Sequence, residues 1–447
     1  MSAPAAPRPA RLGFVPLLGL VYISVCAGPY GMEDLVSASG PGLALLLILL
    51  APLLWGIPMA MAVAELGSGW PVLGGYYRWT RTGLGDFWGF QQGWWQLLSS
   101  WCDNALYPVL VSDYLATLFP ALVDWSLPLL PGLAPGAVLP GKVVVRLLVI
   151  VIFAVTNALG AVVVGRLTLV FSAILILPFV PFVVMGLLAW QHSPLTPLSP
   201  PGQPPLEALG VGILIAMWGY SGYESMSTAI HEVERPQRDF PRALFWSIPL
   251  TIVSYLLPLA AGLAAHGAWE SWTSGTLADA AATIGGAWLH AAVLVGALAS
   301  SMGLFNGYML SYTRLPQAMA EDGFLPRFLA RLSPRRGTPV FSIAANSAVY
   351  ALLAFFDFRD LVVIDTILFA LAYILIFATL VRFRFLFPAA PRPYRVPGGA
   401  AGLWLVAAVP SLVALAACVF SDFEEVRWGL AAAATGPLAY LLARALR

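Results

Sequence analysis

Charge is scarce in this sequence of 447 residues. Only 10% of the residues are charged and 60% are hydrophobic, whereas soluble globular proteins have about 25% charged residues. The formal net charge is +1, so the chain lacks the strongly basic balance typical of nucleic-acid-binding proteins. The composition argues against a soluble protein, and we expect no nucleic-acid partner.

Cysteine and histidine are also rare, and neither forms a motif. The cysteines, Cys26, Cys102 and Cys418, lie in apolar segments, at a spacing that supports neither a disulfide framework nor a zinc site. "HEVER" at His231 has Arg235 where a metalloprotease helix needs a second histidine. The sequence contains no glycine-rich phosphate loop and no nucleophile-elbow serine. We therefore expect no enzyme, no catalytic residue, no metal site and no cofactor.

Long apolar runs dominate the chain instead. Runs of about 17–25 residues are long enough to cross a bilayer, so we predict an all-α polytopic membrane protein whose first span is retained rather than cleaved as a signal peptide. The twelve predicted spans are Leu12 to Ser39, Leu43 to Glu65, Trp88 to Phe119, Val143 to Ala158, Leu167 to Trp190, Leu206 to Ile230, Ala243 to Ala265, Ala287 to Tyr312, Val340 to Phe356, Leu361 to Val381, Leu403 to Phe420 and Trp428 to Ala443.

The basic residues predict the orientation of these spans, because cytoplasmic loops carry an excess of lysine and arginine. With the N-terminus inside, 19 of the 23 basic residues fall on the inner side. Only Lys142, Arg146, Arg359 and Arg427 fall outside. We therefore expect both termini in the cytoplasm. The use of arginine with a single lysine is compatible with a GC-rich bacterial genome, which favours a bacterial inner membrane.

Two of the predicted spans are interrupted. In the first, "GPYGMED" places a Gly-Pro-Tyr-Gly break at residues 28–31, ahead of Glu33. In the sixth, "WGYSGYE" places Ser221 and Gly222 ahead of Glu224. Broken backbone at membrane depth survives only where protein or a water-filled cavity surrounds it. Interruptions at corresponding positions, first and sixth, predict a transporter built from two inverted five-span repeats.

Acidic residues lie within the predicted spans without a basic partner at the same depth. They are Glu33, Asp34, Asp103, Glu224 and Asp365. A carboxylate in a low-dielectric environment either takes up a proton or binds a cation. A proton, a metal ion and a cationic substrate are all candidates at this point. For Asp34 and Asp365, a protonated and hydrogen-bonded carboxyl is an equally good interpretation.

Helical spacing groups some of these acids with other polar residues, since positions i, i+4 and i+7 or i+11 share one face. Such polar stripes predict a lined cavity rather than a lipid-facing surface. The predicted stripes are Asp103, Tyr107 and Tyr114 in the third span, and Glu224, Thr228 and His231 in the sixth.

Several stretches resemble a known superfamily. "AELGSGWPVLGGYYRWTRTGLGDFWGFQQGWW" at 64–95 and "EVERPQRDFPRAL" at 232–244 resemble signatures of the amino acid–polyamine–organocation (APC) superfamily. In the second stretch, Pro241 is expected in the first turn of span seven, where its missing N–H is harmless. "GPYGMED" and "DNALYPVLVSDYL" resemble the polyamine uptake transporters of plants and protozoa.

The resemblance implies a fold of the LeuT type, with a five-plus-five inverted repeat, broken helices one and six, and two further helices. It also implies proton-coupled uptake of polyamines or related organic amines by alternating access. The expected parts are a cytoplasmic tail at 1–11, a first repeat at 12–190, a second repeat at 206–381, and helices eleven and twelve at 401–447.

The resemblance also implies where substrate binds. Amino acid permeases of the superfamily usually have a Gly-Ser-Gly-Ile-Phe-like break whose N–H groups hold an α-carboxylate. Here Pro29 removes one donor and an ionised Glu33 would repel a carboxylate, which favours an amine. The expected substrate-binding residues are Gly28, Pro29, Tyr30, Gly31, Glu33, Asp103, Asn104, Tyr107, Trp218, Ser221, Tyr223 and Glu224.

Within this set, the acids would form a ladder, with Glu33 toward the outside, Asp103 in the centre and Glu224 toward the inside. A linear diamine would lie along it, and one of the three acids would also carry the coupled proton. Cation–π contacts are worth about 0.5–2 kcal/mol each. The candidates for such contacts are Tyr30, Tyr107, Trp218 and Tyr223.

Alternatives remain open. One is an amino acid permease or exchanger for cationic or neutral amino acids, which would need N–H donors near Gly31 or Gly222 and a protonated Glu33. A transporter-like sensor and a channel are less well supported. Plant-type polyamine transporters have Trp-Asp where this chain has Tyr223-Glu224, so the preferred substrate length is open. The sequence also leaves open whether transport is symport or antiport, what its stoichiometry is, and whether the protein is a monomer or a homodimer.

Overall fold

The computed structural model describes residues 11–128, 138–273, 275–355, 358–420 and 423–446. Most of these residues are helical. Residues 1–10, most of the predicted N-terminal tail, lie outside the described residues, as do the side chains of Asp365 and Cys418. The helices are α1 Phe14–Val25, α2 Glu33–Ser39, α3 Pro41–Ala51, α4 Ile57–Gly69, α5 Gly75–Leu84, α6 Asp86–Leu118, α7 Gly141–Leu159, α8 Ala161–Ile176, α9 Phe179–Leu188, α10 Pro205–Gly219, α11 Pro236–His266, α12 Thr276–Gly285, α13 Ala287–Glu321, α14 Val340–Leu353, α15 Phe358–Leu386, α16 Gly399–Phe420 and α17 Phe423–Ala445.

Length and composition make this a multi-pass membrane protein. Among the described residues, seven helical segments are long and apolar enough to cross a bilayer, and three shorter apolar helices accompany them. The seven are Pro41–Gly69, Gly141–Leu159, Ala161–Leu188, Pro236–His266, Ala287–Glu321, Leu368–Leu386 and Gly399–Ala416. The prediction of an all-α polytopic protein is therefore confirmed.

The break predicted in the first span is present. α1 ends at Val25 and the helix resumes only at Glu33, the first residue of α2. Gly28 and Gly31 have φ angles of +78° and +83°, a left-handed conformation that side chains with a Cβ rarely adopt. The backbone conformation therefore requires glycine at position 28, where a Cβ would also displace the Leu175 side chain, 2.5 Å away.

The second predicted break is also present, but the segment after it is not an α-helix. α10 ends at Gly219, and a 3₁₀ helix runs from Ser225 to Glu232. At three residues per turn, Thr228 and His231 lie on one face and Glu224, which precedes the 3₁₀ helix, is displaced from it. The prediction that Glu224, Thr228 and His231 share a face, made for an α-helix, is therefore wrong.

The two breaks meet in the interior. The Tyr255 hydroxyl shares its one proton between two carbonyl oxygens, that of Gly219 at 2.7 Å and that of Val25 at 3.2 Å. These are the last residues of α10 and α1. The Tyr308 hydroxyl donates to the Ser24 carbonyl at 2.5 Å. A helix that ends inside a membrane protein leaves carbonyl groups without partners. These tyrosines supply the hydrogen bonds that allow both helices to stop at the same depth.

One end of the bundle is held by ion pairs, and we call it the basic end after Arg78, Arg314 and Arg384. Arg314, 1% exposed, donates to Glu232 at 2.7 Å. Burial raises the pKa of the Glu232 carboxyl, but the Arg314 guanidinium outweighs it and leaves that pKa below its usual value. Arg384 donates twice to the buried Glu65, at 2.6 Å each. Arg78 pairs with the carboxylates that end α13.

The start of α11 corrects the expectation for Pro241. The helix begins at Pro236, and Pro241 lies inside it. Pro236 therefore occupies the first turn, where a missing N–H costs nothing. Pro241 instead removes a hydrogen bond that the helix would otherwise make.

Two short helices and a hairpin were not predicted from the sequence. α5 lies between the second and third predicted spans, and α12 lies between the seventh and eighth. Strands β1, Ser126–Pro128, and β2, Val138–Pro140, form an antiparallel pair. Neither helix is long enough to span a bilayer, so a search for long apolar runs does not find them.

The contact between the two breaks generates a test. A Cβ on Gly222, whose φ is +101°, would lie 2.1 Å from the Ser24 carbonyl oxygen. Gly202 has a φ of +83° but no neighbouring atom within 4 Å. An alanine with positive φ costs about 1–2 kcal/mol, and Gly222→Ala adds a backbone clash. We expect Gly222→Ala to abolish the folded protein and Gly202→Ala to lower the Tm of the detergent-purified protein only slightly. Equal Tm values would contradict this packing.

Candidate functional site

Asp103, on α6, lies in a group of tyrosines. Its two carboxylate oxygens accept hydrogen bonds from the hydroxyls of Tyr107 and Tyr312, both at 2.9 Å. The Tyr308 ring stacks between these two tyrosines, with centroid distances of 5.9 Å to Tyr107 and 4.9 Å to Tyr312. The carboxylate thus has polar partners on α6 and α13, and three aromatic faces stand beside it.

Glu224, the second acid, is completely buried. Its Oε2 atom accepts a hydrogen bond from the Tyr373 hydroxyl of α15, which in turn accepts one from the Gly222 N–H at 3.0 Å. Its Oε1 atom has no hydrogen-bond partner among the described residues. A buried carboxylate oxygen without a partner is costly, so this atom is available for a ligand.

Asp103 and Glu224 lie within electrostatic range of each other. Their carboxylates lie close enough to repel each other when both are ionised. Tyr312, which donates to Asp103, lies within the electrostatic reach of both acids. Two adjacent carboxylates attract one positive charge between them more strongly than either does alone.

Glu33, the first residue of α2, is also completely buried. Its carboxylate accepts from the Gly31 N–H at 2.6 Å and from the Gly275 N–H at 3.3 Å. Tyr30 and Tyr114 lie within its electrostatic reach. Because Tyr114 is also on α6, the face of α6 that carries Asp103 extends to Glu33.

The remaining predicted site residues lie around these acids. Tyr30 donates to the Val293 carbonyl at 2.5 Å. Ser221 accepts from the Trp55 indole at 2.9 Å. Trp218 is 53% exposed and lies against Gly31. A Cβ added to that glycine would lie 3.2 Å from the Trp218 ring.

Two further predicted residues, Asn104 and Tyr223, are completely buried. The amide of Asn104 lies beside the Tyr350 hydroxyl, and the hydroxyl of Tyr223 has no hydrogen-bond partner among the described residues. A role in substrate binding stays a prediction for all of these residues.

Sequence reasoning missed the tyrosines that complete the site. Tyr308 and Tyr312 are four residues apart in α13, and Tyr373 lies in the middle of α15. A tyrosine hydroxyl at mid-span needs a buried partner, and this signal was available in the sequence. Trp55 stacks on Tyr373 at 5.4 Å, a contact between distant helices that sequence alone does not reveal.

In the part of the chain that the structure describes, no positively charged side chain accompanies the three acids. Among the described residues, no lysine or arginine forms an ion pair with Glu33, Asp103 or Glu224. Within the same residues, no three His, Cys, Asp or Glu side chains are grouped as a metal ion requires. The arrangement of three acids among tyrosines suits an organic cation or a proton.

The hydrogen bonds of Tyr373 generate a stability test. Tyr373→Phe removes a hydroxyl that serves both Gly222 and Glu224, and leaving buried groups unpaired costs about 1–3 kcal/mol. Tyr223→Phe removes a buried hydroxyl that has no partner among the described residues. We expect a lowered Tm for Tyr373→Phe and an unchanged or raised Tm for Tyr223→Phe. A lower Tm for Tyr223→Phe than for Tyr373→Phe would contradict the stabilising role of the Tyr373 hydroxyl.

Comparison with known proteins identifies the family. A family model described as amino acid permease matches residues 12–434. A probable polyamine transporter of Arabidopsis thaliana is 37% identical over 420 residues, which cover 93% of this chain and 80% of the relative. A polyamine transporter of Oryza sativa subsp. japonica is 36% identical over 436 residues, covering 96% and 78%.

A more distant relative is named for a different substrate. Cationic amino acid transporter 4 of Mus musculus is 27% identical over 379 residues, covering 81% of this chain and 57% of the relative. The family match and the two relatives above 30% identity extend along nearly the whole chain. The chain therefore belongs to the amino acid permease family of the APC superfamily, and it is a membrane transporter, not an enzyme.

Proposed function

We propose that this transporter carries polyamines or related organic amines into the cell, coupled to protons. One observation carries the proposal: Asp103 and Glu224 are buried within electrostatic range of each other, and tyrosine hydroxyls, which bring no positive charge, donate to both carboxylates. A buried carboxylate pair without a cation is unstable. A protonated amine supplies the missing charge and brings N–H donors with it.

The names of the relatives support the same substrate class. The Arabidopsis and rice relatives, at 37% and 36% identity, are both named as polyamine transporters. Family membership alone does not choose between amines and amino acids. The chemistry of the acid centre favours amines.

We further propose the twelve-span arrangement, with two inverted five-span repeats followed by two helices. The two helix breaks that meet in the interior support it, because discontinuous helices at a repeat interface form the substrate site of such transporters. Alternating access would then move the helices around a fixed site. In this arrangement the basic end faces the cytoplasm, as the excess of arginine there favours.

The site suits an extended cation. Eleven residues separate Asp103 from Tyr114 on α6, a rise of about 16 Å, and Tyr114 lies near Glu33. An amine at Asp103 and Glu224 would have the rings of Tyr107, Tyr308 and Tyr312 beside it. Each such ring adds about 0.5–2 kcal/mol when the cation lies over its face.

The same acids account for proton coupling. Two close carboxylates attract a single positive charge strongly, and that charge can be an ammonium group or a proton. Release of the amine and protonation of the pair would therefore be linked. We assign the coupled proton to Asp103 or Glu33, with Glu224 as the partner of the substrate.

The membrane in which the protein works is also a proposal. The arginine-rich, lysine-poor composition favours a bacterial inner membrane with both termini in the cytoplasm. The relatives named above come from two plants and a mouse, and they lend no support to the bacterial assignment.

The second candidate is an amino acid permease, favoured by the mouse relative named for cationic amino acids. Its substrate would need N–H donors for an α-carboxylate near Gly31 or Gly222. The Gly31 N–H donates to Glu33 and the Gly222 N–H donates to Tyr373. Both donors are engaged, and a carboxylate at Gly31 would lie beside the carboxylate of Glu33.

Amine uptake provides the direct test. We expect labelled 1,4-diaminobutane to accumulate in proteoliposomes under an inward proton gradient, and Asp103→Asn to reduce uptake at least about a hundredfold, because a buried ion pair that loses one partner costs about 3–5 kcal/mol. Asp113→Asn is the matched control on the same helix. Asp113 is half-exposed and pairs with Lys142 at 3.0 Å, so its loss should change uptake less than twofold.

Competition with leucine and arginine separates the two candidates. Uptake that neither amino acid inhibits supports an amine transporter. Liposomes that accumulate labelled leucine but no diamine would contradict the proposal and favour the permease.

A further inference from the structure

A buried polar stripe continues along α6 beyond Asp103, toward the basic end. Gln92 and Gln96 are four residues apart and completely buried. Gln92 lies eleven positions before Asp103, which is about three helical turns, so these side chains share one face. None of the four amide atoms of Gln92 and Gln96 forms a hydrogen bond with any described residue.

α5 packs against α6 and carries a further buried hydroxyl, that of Tyr76. α5 is attached to the segment that follows Glu224, because the Gly74 N–H donates to the Thr228 carbonyl at 2.9 Å and the Tyr76 N–H donates to the Ser227 hydroxyl at 3.4 Å. The Tyr76 hydroxyl is buried and has no partner among the described residues. It lies within the electrostatic reach of Glu224, whose Oε1 atom is also unpartnered.

A nearby glutamine shows that burial alone does not place a residue in the stripe. Gln91 is 1% exposed and its amide atoms also have no partner among the described residues. Its Oε1 atom, however, lies against Gly436 of α17, 2.0 Å from where a Cβ on that glycine would be. Gln91 therefore belongs to the α6–α17 packing, on another face of α6.

The unpartnered oxygen atoms, those of the two glutamine amides, of the Tyr76 hydroxyl and of Glu224, match the chemistry of an ammonium group. A buried polar group without a partner destabilises the folded protein, and native proteins rarely leave such groups unpaired. Amide carbonyl, phenol and carboxylate oxygens all accept hydrogen bonds, and a primary ammonium group has three donors and no acceptor. Gln96 and Gln92 lie about 10 and 16 Å from Asp103 along the helix axis, on the side of the basic end.

We propose that Tyr76, Gln92 and Gln96 form a second ammonium subsite, between the acid centre and the basic end. The inference rests on the proposed amine transport. While one ammonium group is held at Asp103 and Glu224, the subsite receives the other ammonium group of a diamine or the leading one of a longer polyamine. It gives the transporter a preference for substrates with two positive charges, and it provides a transient binding site on the route of release.

The test compares a diamine with a monoamine of the same carbon chain. Uptake of labelled 1,4-diaminobutane is measured in proteoliposomes, with butylamine as competitor, to give the KM of the diamine and the Ki of the monoamine. Tyr76→Phe, which removes only a hydroxyl, and Gln96→Leu should each shift the ratio of these constants against the diamine by about tenfold, since a hydrogen bond to a charged group contributes about 1.5–3 kcal/mol. Gln91→Leu is the matched control and should leave the ratio unchanged.

The outcomes decide between the subsite and ordinary packing. An unchanged ratio in Tyr76→Phe, or an equal shift in Gln91→Leu, overturns the subsite. If the wild-type protein takes up no diamine, the proposed transport function fails, and the subsite is tested by thermal unfolding of the purified protein. A diamine-induced rise in Tm that butylamine does not match, lost in Tyr76→Phe and kept in Gln91→Leu, supports the subsite. The absence of any diamine-specific rise overturns it.

Discussion

The carboxylate pair of Asp103 and Glu224 is the constraint on which the rest of the structure depends. Two acids in a low-dielectric interior repel each other, and among the described residues they are held by the hydroxyls of Tyr107, Tyr312 and Tyr373. Tyrosine donates a hydrogen bond without adding a positive charge. These hydrogen bonds hold the two carboxylates in place without neutralising their negative charge. The proposed site can therefore bind a cation and release it again.

The same side-chain type makes the broken backbone possible. Tyr255 donates to the terminal carbonyls of both interrupted helices, and Tyr308 donates to Ser24 next to the first break. Gly222 allows the second break to lie directly against that backbone. Since unpaired carbonyls at membrane depth are costly, the hydroxyls and the glycine stabilise the breaks that bring Glu224 and Asp103 together.

Much of this was predictable because the signals are local. The apolar runs predict the helices, the Gly-Pro-Tyr-Gly and Ser-Gly segments predict the breaks, and Glu33, Asp103 and Glu224 stand out as acids in apolar segments. The 3₁₀ form after Glu224 was not predicted, because it depends on contacts such as the bond from Thr228 to the Ser311 carbonyl, at 2.7 Å. The alignment of Tyr312 and Tyr373 with the acids depends on how distant helices pack, which no single segment encodes.

The most direct measurement is the experimental structure of the protein with bound 1,4-diaminobutane. The account predicts an ammonium nitrogen within about 3 Å of the Asp103 carboxylate and of the unpartnered Glu224 oxygen. It also predicts Tyr308 and Tyr312 rings beside the carbon chain. A ligand held instead through a carboxylate at the Gly31 or Gly222 N–H, with Asp103 and Glu224 still bonded only to tyrosines, would contradict the assignment of these acids as the cation site.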